Sequence, residues 1–302
     1  MRIGRGRAAL YCILGALLWG LGGTSAQYLM AVKAVPAEWL SCIRLGSAGL
    51  VTLVLVLSRK AQRQNLYDML RTKSSVVRLV LFTLFGLIGN QIFYLYAIRE
   101  TNAGVATVIQ YTAPALMLIY TCIRERKRPQ ILELACLFLA LAGTVLIATH
   151  GNFSHLAIST MGLIWAILAA FALCIFDLAP IVLISRYGSL ALNAVSMLLA
   201  ALVELLIFRL FLRPVHLDWE SVQVFAVLVL ISTVTPYLLF MKGLERIGAV
   251  QASMFTTLEP VAATFFSAVF LATAFAPLDL VGCGLVALMV LLLALAQRRR
   301  QV

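Results

Sequence analysis

The stretch Gly243-Leu-Glu-Arg-Ile-Gly-Ala-Val-Gln-Ala252, continuing to Leu258-Glu259-Pro260, lines up without gaps on Ala97-Ile-Arg-Glu-Thr-Asn-Ala-Gly-Val-Ala106 and on to Pro114. Each copy holds a short charged turn, a helix start built of small residues, and a proline well inside the apolar run that follows. Around each copy lie five apolar stretches. Five is odd, so the second half enters the membrane upside down relative to the first, the arrangement of secondary transporters with inverted repeats. The reading is an all-α polytopic membrane protein of ten transmembrane helices in two inverted-topology five-helix repeats, 1–150 and 151–302.

A helix rising ~1.5 Å per residue needs roughly 20 residues to cross a ~30 Å hydrocarbon layer. Windows of that length cover 8–31, 39–57, 76–98, 104–123, 130–149, 160–184, 190–211, 221–241, 249–271 and 277–296. With 63% apolar residues, 12% charged and a mean hydropathy of +1.01, no part of the chain reads as a soluble domain. The longest connection, 58–75, is basic and polar. A β-barrel is excluded because runs such as Leu285 to Ala296 are apolar on every face instead of alternating.

Cations set the orientation. With a cytoplasmic N-terminus, the inner segments collect Arg2, Arg5, Arg7, the 59–78 cluster, Arg124, Arg126, Lys127, Arg128, Arg186, Lys242, Arg246 and the terminal Arg298 to Arg300. The outer side receives Lys33, Arg99, Arg209 and Arg213. Both termini are therefore expected in the cytoplasm and the protein in the cell membrane. The net charge of +12 is spread over loops as a topology signal, which argues against a nucleic-acid partner. The Arg-rich start leads into an apolar run too long for a signal peptide, and reads as a retained first span.

Cys12, Cys42, Cys122, Cys136, Cys174 and Cys283 stand singly in or beside spans and read as small buried hydrophobes. His150, His155 and His216 fall in outer connections without further ligands at helical spacing, so no metal site is assigned. No Ser/His, paired-Asp or H-E-x-x-H constellation lies within the spans, and no G-x-x-x-x-G-K-[ST] is present. An enzyme is not expected, nor a cofactor, nor direct use of ATP.

The polar residues that a bilayer should exclude are the candidate site. An ionised side chain at mid-bilayer costs about 2.5–3.5 kcal/mol on insertion scales, so each must face protein or water. Glu259 lies near the middle of its span, next to Pro260. Proline frees the carbonyl four residues back, at Thr256, which places a carboxylate beside an unpaired acceptor. Its repeat counterpart is Ala113, so the fold does not itself require an acid there. Asn90, Gln91 and Tyr94 in the third span, with Tyr96 nearby, and Gln110, Tyr111 and Pro114 in the fourth, combine amides and phenols able to hold a zwitterion or to glue helices. Trp19 and Tyr237 join them by depth, whereas Trp39 and Trp219 sit at span ends as interface anchors. Asp177, three residues before Pro180, is either a second titratable group or a partner for a cation or helix end. Arg44 reads as structural, satisfying carbonyls or pairing with an acid such as Glu38; Glu204 and Arg209 are five apart and do not face each other well, and Glu133 sits one turn inside the inner interface, within reach of it.

Trp19-Gly20, Pro36 followed by Arg44, Ala103 to Pro114, Arg124-Glu125-Arg126 and Leu258-Glu259-Pro260-Val261 together resemble the EamA family of the drug/metabolite transporter superfamily over nearly the whole chain. The resemblance implies ten helices in inverted repeats, cytoplasmic termini, a central cavity, and outward movement of small metabolites, often amino acids. Where the family often carries an acid at the end of the ninth helix, this chain reads Leu271-Ala272-Thr273-Ala274-Phe275, so no symmetric pair of acids works the two gates. The expected function is a secondary transporter of small amphipathic metabolites such as amino acids or amines, with membrane lipid as surroundings and proton coupling at Glu259 as an option. A lipid-linked sugar flippase and, further behind, a membrane enzyme are the alternatives.

Overall fold

The computed structural model describes residues 4–100, 106, 109–126, 128–149, 152, 159–212, 215, 217–271 and 277–299. Among them there is no strand. His150, His155, His216 and most of the 271–275 segment lie outside the described residues.

In chain order the helices are α1 (Arg5–Ala31), α2 (Ala37–Leu57), α3 (Lys60–Arg71), α4 (Lys73–Leu81), α5 (Gly89–Glu100), α6 (Ala113–Glu125), α7 (Ile131–Thr149), α8 (Thr160–Leu178), α9 (Ile181–Tyr187), α10 (Ser189–Ile207), α11 (Trp219–Ala226), α12 (Thr235–Ile247), α13 (Ala249–Thr256), α14 (Leu258–Leu271) and α15 (Pro277–Arg299). Among the described residues, seven stretches are long and apolar enough to cross a membrane: Arg5–Ala31, Ala37–Leu57, Lys73–Ala97, Thr160–Tyr187, Ser189–Ile207, Trp219–Ile247 and Ala249–Phe270. Two shorter apolar helices run over Ile131–Ile147 and Pro277–Leu293. The 58–75 connection, read from sequence as a polar segment, contains α3: Met69 is buried and Leu66 half-buried, while the basic side chains keep to the other flanks.

Two long helices widen into π-turns, Phe82–Ile88 between α4 and α5 and Val227–Val234 between α11 and α12. The offset that carries Ala97 onto Gly243 also carries Phe82 onto Leu228 and Ile88 onto Val234. The irregularity thus recurs at one position of the internal repeat, and such turns are frequent at functional sites.

Packing relies on small residues, because large apolar side chains gain as much from lipid as from a neighbouring helix. α1 lies against α12 and α14, α2 against α10, α5 against α8, and α7 against α15. At each crossing a glycine or alanine admits the other backbone. A Cβ on Gly143 would come within 2.8 Å of the Gly282 carbonyl, and one on Gly49 within 2.9 Å of the Leu198 nitrogen. Thr24 on α1 donates its hydroxyl to the Ala263 carbonyl on α14 at 3.2 Å. All six cysteines are unpaired, and four are buried among these contacts. The outward faces carry the large residues, Phe138, Ile123 and Phe270 among them, where acyl chains would cover them.

One polar clasp joins the connection after α1 to the start of α11. The Lys33 ammonium donates to Asp218 and to Glu220, each at 2.7 Å, and the Tyr28 hydroxyl donates to Glu220. Asp218 also caps α11 by accepting from the Ser221 amide at 2.9 Å. The two carboxylates hold the Lys33 ammonium above its ordinary pKa, Asp218 foremost, while Lys33 holds both acids below theirs. Depressed acids stabilise the fold above their unfolded pKa and lose that contribution as pH falls through the folded one; a raised lysine contributes below its unfolded pKa of about 10.4.

Two predictions follow from this packing. The difference in unfolding temperature between the wild type and Lys33→Gln should be flat from about pH 5 to pH 10, shrink below about pH 4, and diminish with salt; a pH-independent difference would mean that the clasp is not electrostatic. Gly20→Ala should cost about 1–3 kcal/mol, since the new methyl would meet the Ala263 nitrogen at 2.7 Å. Gly284→Ala, where nothing lies within 4 Å, is the matched control and should leave denaturant unfolding unchanged.

Candidate functional site

The site forms where two helices break. α13 stops at Thr256 and α14 starts at Leu258, with a turn at Thr257; in the first half a turn at Tyr111 and Thr112 precedes α6. Both breaks lie just ahead of a proline, Pro260 and Pro114, and they coincide under the repeat offset. Local hydroxyls take up part of the broken ladder: Thr112 donates to the Ile109 carbonyl at 2.6 Å, Thr256 to Ser253 and Thr257 to Met254, each at 2.7 Å.

The Thr256 carbonyl, which Pro260 deprives of its helical donor, receives one from the other half of the chain. The Tyr111 hydroxyl lies 3.2 Å from the Thr256 oxygen and 3.2 Å from Glu259 Oε2. A phenol has one hydrogen, so it serves one acceptor fully at a time. When Glu259 is charged the hydrogen goes to the carboxylate. When Glu259 is neutralised, by a proton or a bound cation, the hydrogen is released to the Thr256 carbonyl. The Glu259 carboxylate and the Thr256 carbonyl thus compete for one hydroxyl hydrogen at the break.

Amides and aromatic rings line this centre. The Gln110 amide donates to Asn90 Oδ1 at 2.8 Å, tying α5 to the residue before Tyr111. Tyr94, one turn after Asn90, is close enough to Tyr111 to interact electrostatically, and it also packs beside Trp165 and Ala166 of α8. Gln91 is half-buried on the same helix and is not drawn into the Asn90–Gln110 pair. Pro114 is buried at the start of α6. Trp19 meets Tyr237 edge-on at 5.3 Å and Phe240 at 5.1 Å, and Phe176 adds a ring 5.9 Å from Tyr237. Tyr237 in turn lies within electrostatic reach of Glu259. The two residues placed by depth alone, Trp19 and Tyr237, are thus in mutual contact. Trp165, stacked on Phe93 at 5.8 Å and edge-on to Tyr96 at 5.1 Å, is an aromatic wall that the sequence reading passed over.

Asp177 follows Phe176 and is 1% exposed. Neither carboxylate oxygen completes a hydrogen bond, and the Ser253 hydroxyl beside it, on α13, is likewise unmet. The expectation of a cation or helix-end partner for Asp177 is not met among the described residues, since its surroundings are Cys12, Cys174, Tyr111 and Ser253, all neutral.

Arg44 does not pair with Glu38, one of the two roles expected for it; Glu204 and Arg209 do not pair either, as their five-residue spacing implies, and among the described residues the ion pairs are those of Lys33. Glu204 is 1% exposed and turns toward α2, where the Ser41 hydroxyl donates to its Oε1 at 3.1 Å. Arg44, one turn beyond Ser41, exerts its charge on Glu204, Glu259 and Tyr237 together. Its Nε and Glu204 Oε2 are buried without partners. Glu133 accepts from the Gln130 amide at 3.0 Å in an exposed hydrogen bond ahead of α7.

The chain matches the model of the EamA-like transporter family twice, over residues 6–149 and 160–295. It is similar to the uncharacterized inner membrane transporter YicL of Salmonella typhimurium, 31% identical over 97% of both chains. It is also similar to the uncharacterized transporter YwfM of Bacillus subtilis, 25% identical over 97% of this chain and 95% of that protein. A crystal structure 20% identical in sequence superposes with a TM-score of 0.79 over 98% of this chain and 99% of the other, and shares the fold. Two family matches that together span most of the sequence, with a full-length relative at 31% identity, establish that this chain belongs to the EamA-like transporter family.

Proposed function

We propose that the chain is a secondary carrier that moves small amphipathic metabolites bearing an amine, amino acids or amines, outward across the cell membrane. Ten spans in two inverted repeats, 1–150 and 151–302, with cytoplasmic termini, would alternate access around the breaks at Thr112 and Thr257. The observation that carries this reading is the shared Tyr111 hydroxyl, which couples Glu259 of one half to the backbone break through a residue of the other half.

In this mechanism the substrate ammonium, or a proton, neutralises Glu259 and sends the Tyr111 hydrogen to Thr256. The Asn90–Gln110 amides and the Tyr94 phenol offer hydrogen bonds to the polar end of the substrate. Trp19, Tyr237 and Phe176 cover its apolar part. Asp177, buried without a partner, is a second place at which a proton resides, next to the hydroxyl of Ser253 on the moving α13 segment. Release of the cation restores the Tyr111–carboxylate bond and resets the break.

Glu259→Gln keeps shape and hydrogen bonding but removes charge. Charged hydrogen bonds contribute about 1.5–3 kcal/mol, so amine-bearing ligands should bind roughly 10- to 100-fold more weakly to the variant. The measurement is a thermal-shift series of amino acids, amines and nucleosides against both purified proteins. An undiminished response to amines in Glu259→Gln would return the carboxylate to a structural role.

The bond to the freed carbonyl has its own test. Tyr111→Phe leaves the Thr256 oxygen without a donor and should cost about 1–3 kcal/mol in unfolding experiments. Pro260→Ala restores an amide N–H to the same carbonyl, so in that background Tyr111→Phe should cost about 1 kcal/mol less. Additive effects of the two substitutions would separate Tyr111 from the break.

A further inference from the structure

Between α3 and the end of α9, at the membrane surface that carries the chain's densest basic cluster, lies a cleft of about 370 Å³ lined by Asn65, Asp68, Arg71, Thr72, Arg186 and Tyr187. Its floor is rigid. The buried Tyr187 hydroxyl is 3.0 Å from Ser75 Oγ and donates to Thr72 Oγ1 at 3.3 Å, and Thr72 donates to the Asp68 carbonyl at 2.9 Å. These bonds join α4 to the end of α9.

The two arginines come from different halves of the chain, and each rests on an aromatic ring. The Arg71 guanidinium lies 4.3 Å from the centre of Tyr67, and that of Arg186 lies 5.3 Å from the centre of Tyr187. Stacking on a ring occupies the face of a guanidinium and leaves its in-plane N–H groups directed outward. Neither arginine forms an ion pair among the described residues, although Asp68 lines the same cavity. Asp68 instead accepts from the Gln64 amide at 3.0 Å. Setting membrane orientation asks only for positive charge near the surface; it does not account for two ring-supported guanidiniums lining one open cleft.

The volume falls at the small end of ligand pockets, about 300–1,000 Å³. Forked N–H groups from two arginines match the oxygens of a phosphate, and basic pockets between membrane helices take up lipid head groups. We propose that this cavity binds the phosphate of a phosphorylated ligand, a phospholipid head group or a free phosphate ester, between Arg71 and Arg186, with the Asn65 amide as a further donor. The site is separate from the Glu259 region and its test needs no transport.

Purified full-length protein would be titrated with phosphatidylglycerol and with phosphatidylcholine by native mass spectrometry, and with inorganic phosphate by thermal unfolding. Arg71→Gln and Arg186→Gln should each weaken binding roughly tenfold, the equivalent of one charged hydrogen bond. Asp68→Asn should strengthen it, and Arg63→Gln, on the same helix but away from the cavity, should leave it unchanged. That pattern with phosphatidylglycerol, and none with phosphatidylcholine, identifies a lipid head group; the same pattern with inorganic phosphate alone identifies a soluble phosphate ester. Arg71 and Arg186 are exposed, so their variants should keep the wild-type unfolding temperature without ligand, and Arg→Lys at either position should recover part of the binding. Equal weakening by Arg63→Gln, or no effect of either cavity arginine on any probe, would overturn the proposal.

Discussion

A backbone carbonyl surrounded by hydrocarbon must be given a donor by the protein itself, because no water is there to supply one. Pro260 creates such a carbonyl at Thr256, and the chain answers with a phenol from the opposite half. Much of the central arrangement depends on that answer. It requires the turn at Tyr111 and Thr112 to sit beside the turn at Thr257, which in turn requires small residues where α1 and α14 cross. It also places an ionisable carboxyl within reach of the same hydroxyl.

The polar centre has a second layer in the contact between α2 and α10. Ser41 satisfies one oxygen of Glu204, while the other oxygen and the Arg44 Nε stay unmet. Removing one member of a buried charged group strands the remaining charge, which is more damaging than never having buried either. Arg44 lies within electrostatic reach of Glu259 as well as of Glu204.

What could be read from sequence follows the range of the interaction. A proline announces its own missing N–H, so the exposed carbonyl at Thr256 and its neighbour Glu259 were legible from three adjacent residues. Apolar length is likewise a local property, and seven of the ten stretches read as spans are long and apolar enough among the described residues. Glu204 was not, because the search for its partner stayed on its own helix at Arg209, whereas Ser41 lies 163 positions away. The helical character of Lys60–Arg71 was hidden by its charge, although Leu66 and Met69 already mark a buried face. The two π-turns have no composition of their own, and became visible only because they recur at matching positions. Trp165 was overlooked because an aromatic residue near a helix end looks the same whether it faces lipid or a neighbouring ring.

The helix pairings carry a mechanical consequence. α1 lies on α12 and α14, α2 on α10, α5 on α8, and α7 on α15, so each of these close-packed partnerships joins the two sequence halves. The halves are interleaved like the fingers of clasped hands, with glycine at several of the knuckles. Neither half can swing as a block without prising open the tightest seams in the molecule, whereas a pair drawn from both halves can tilt as one piece and keep its seam intact. Any rigid body that keeps these seams intact is therefore composite, and its edge does not follow the boundary between the two family matches.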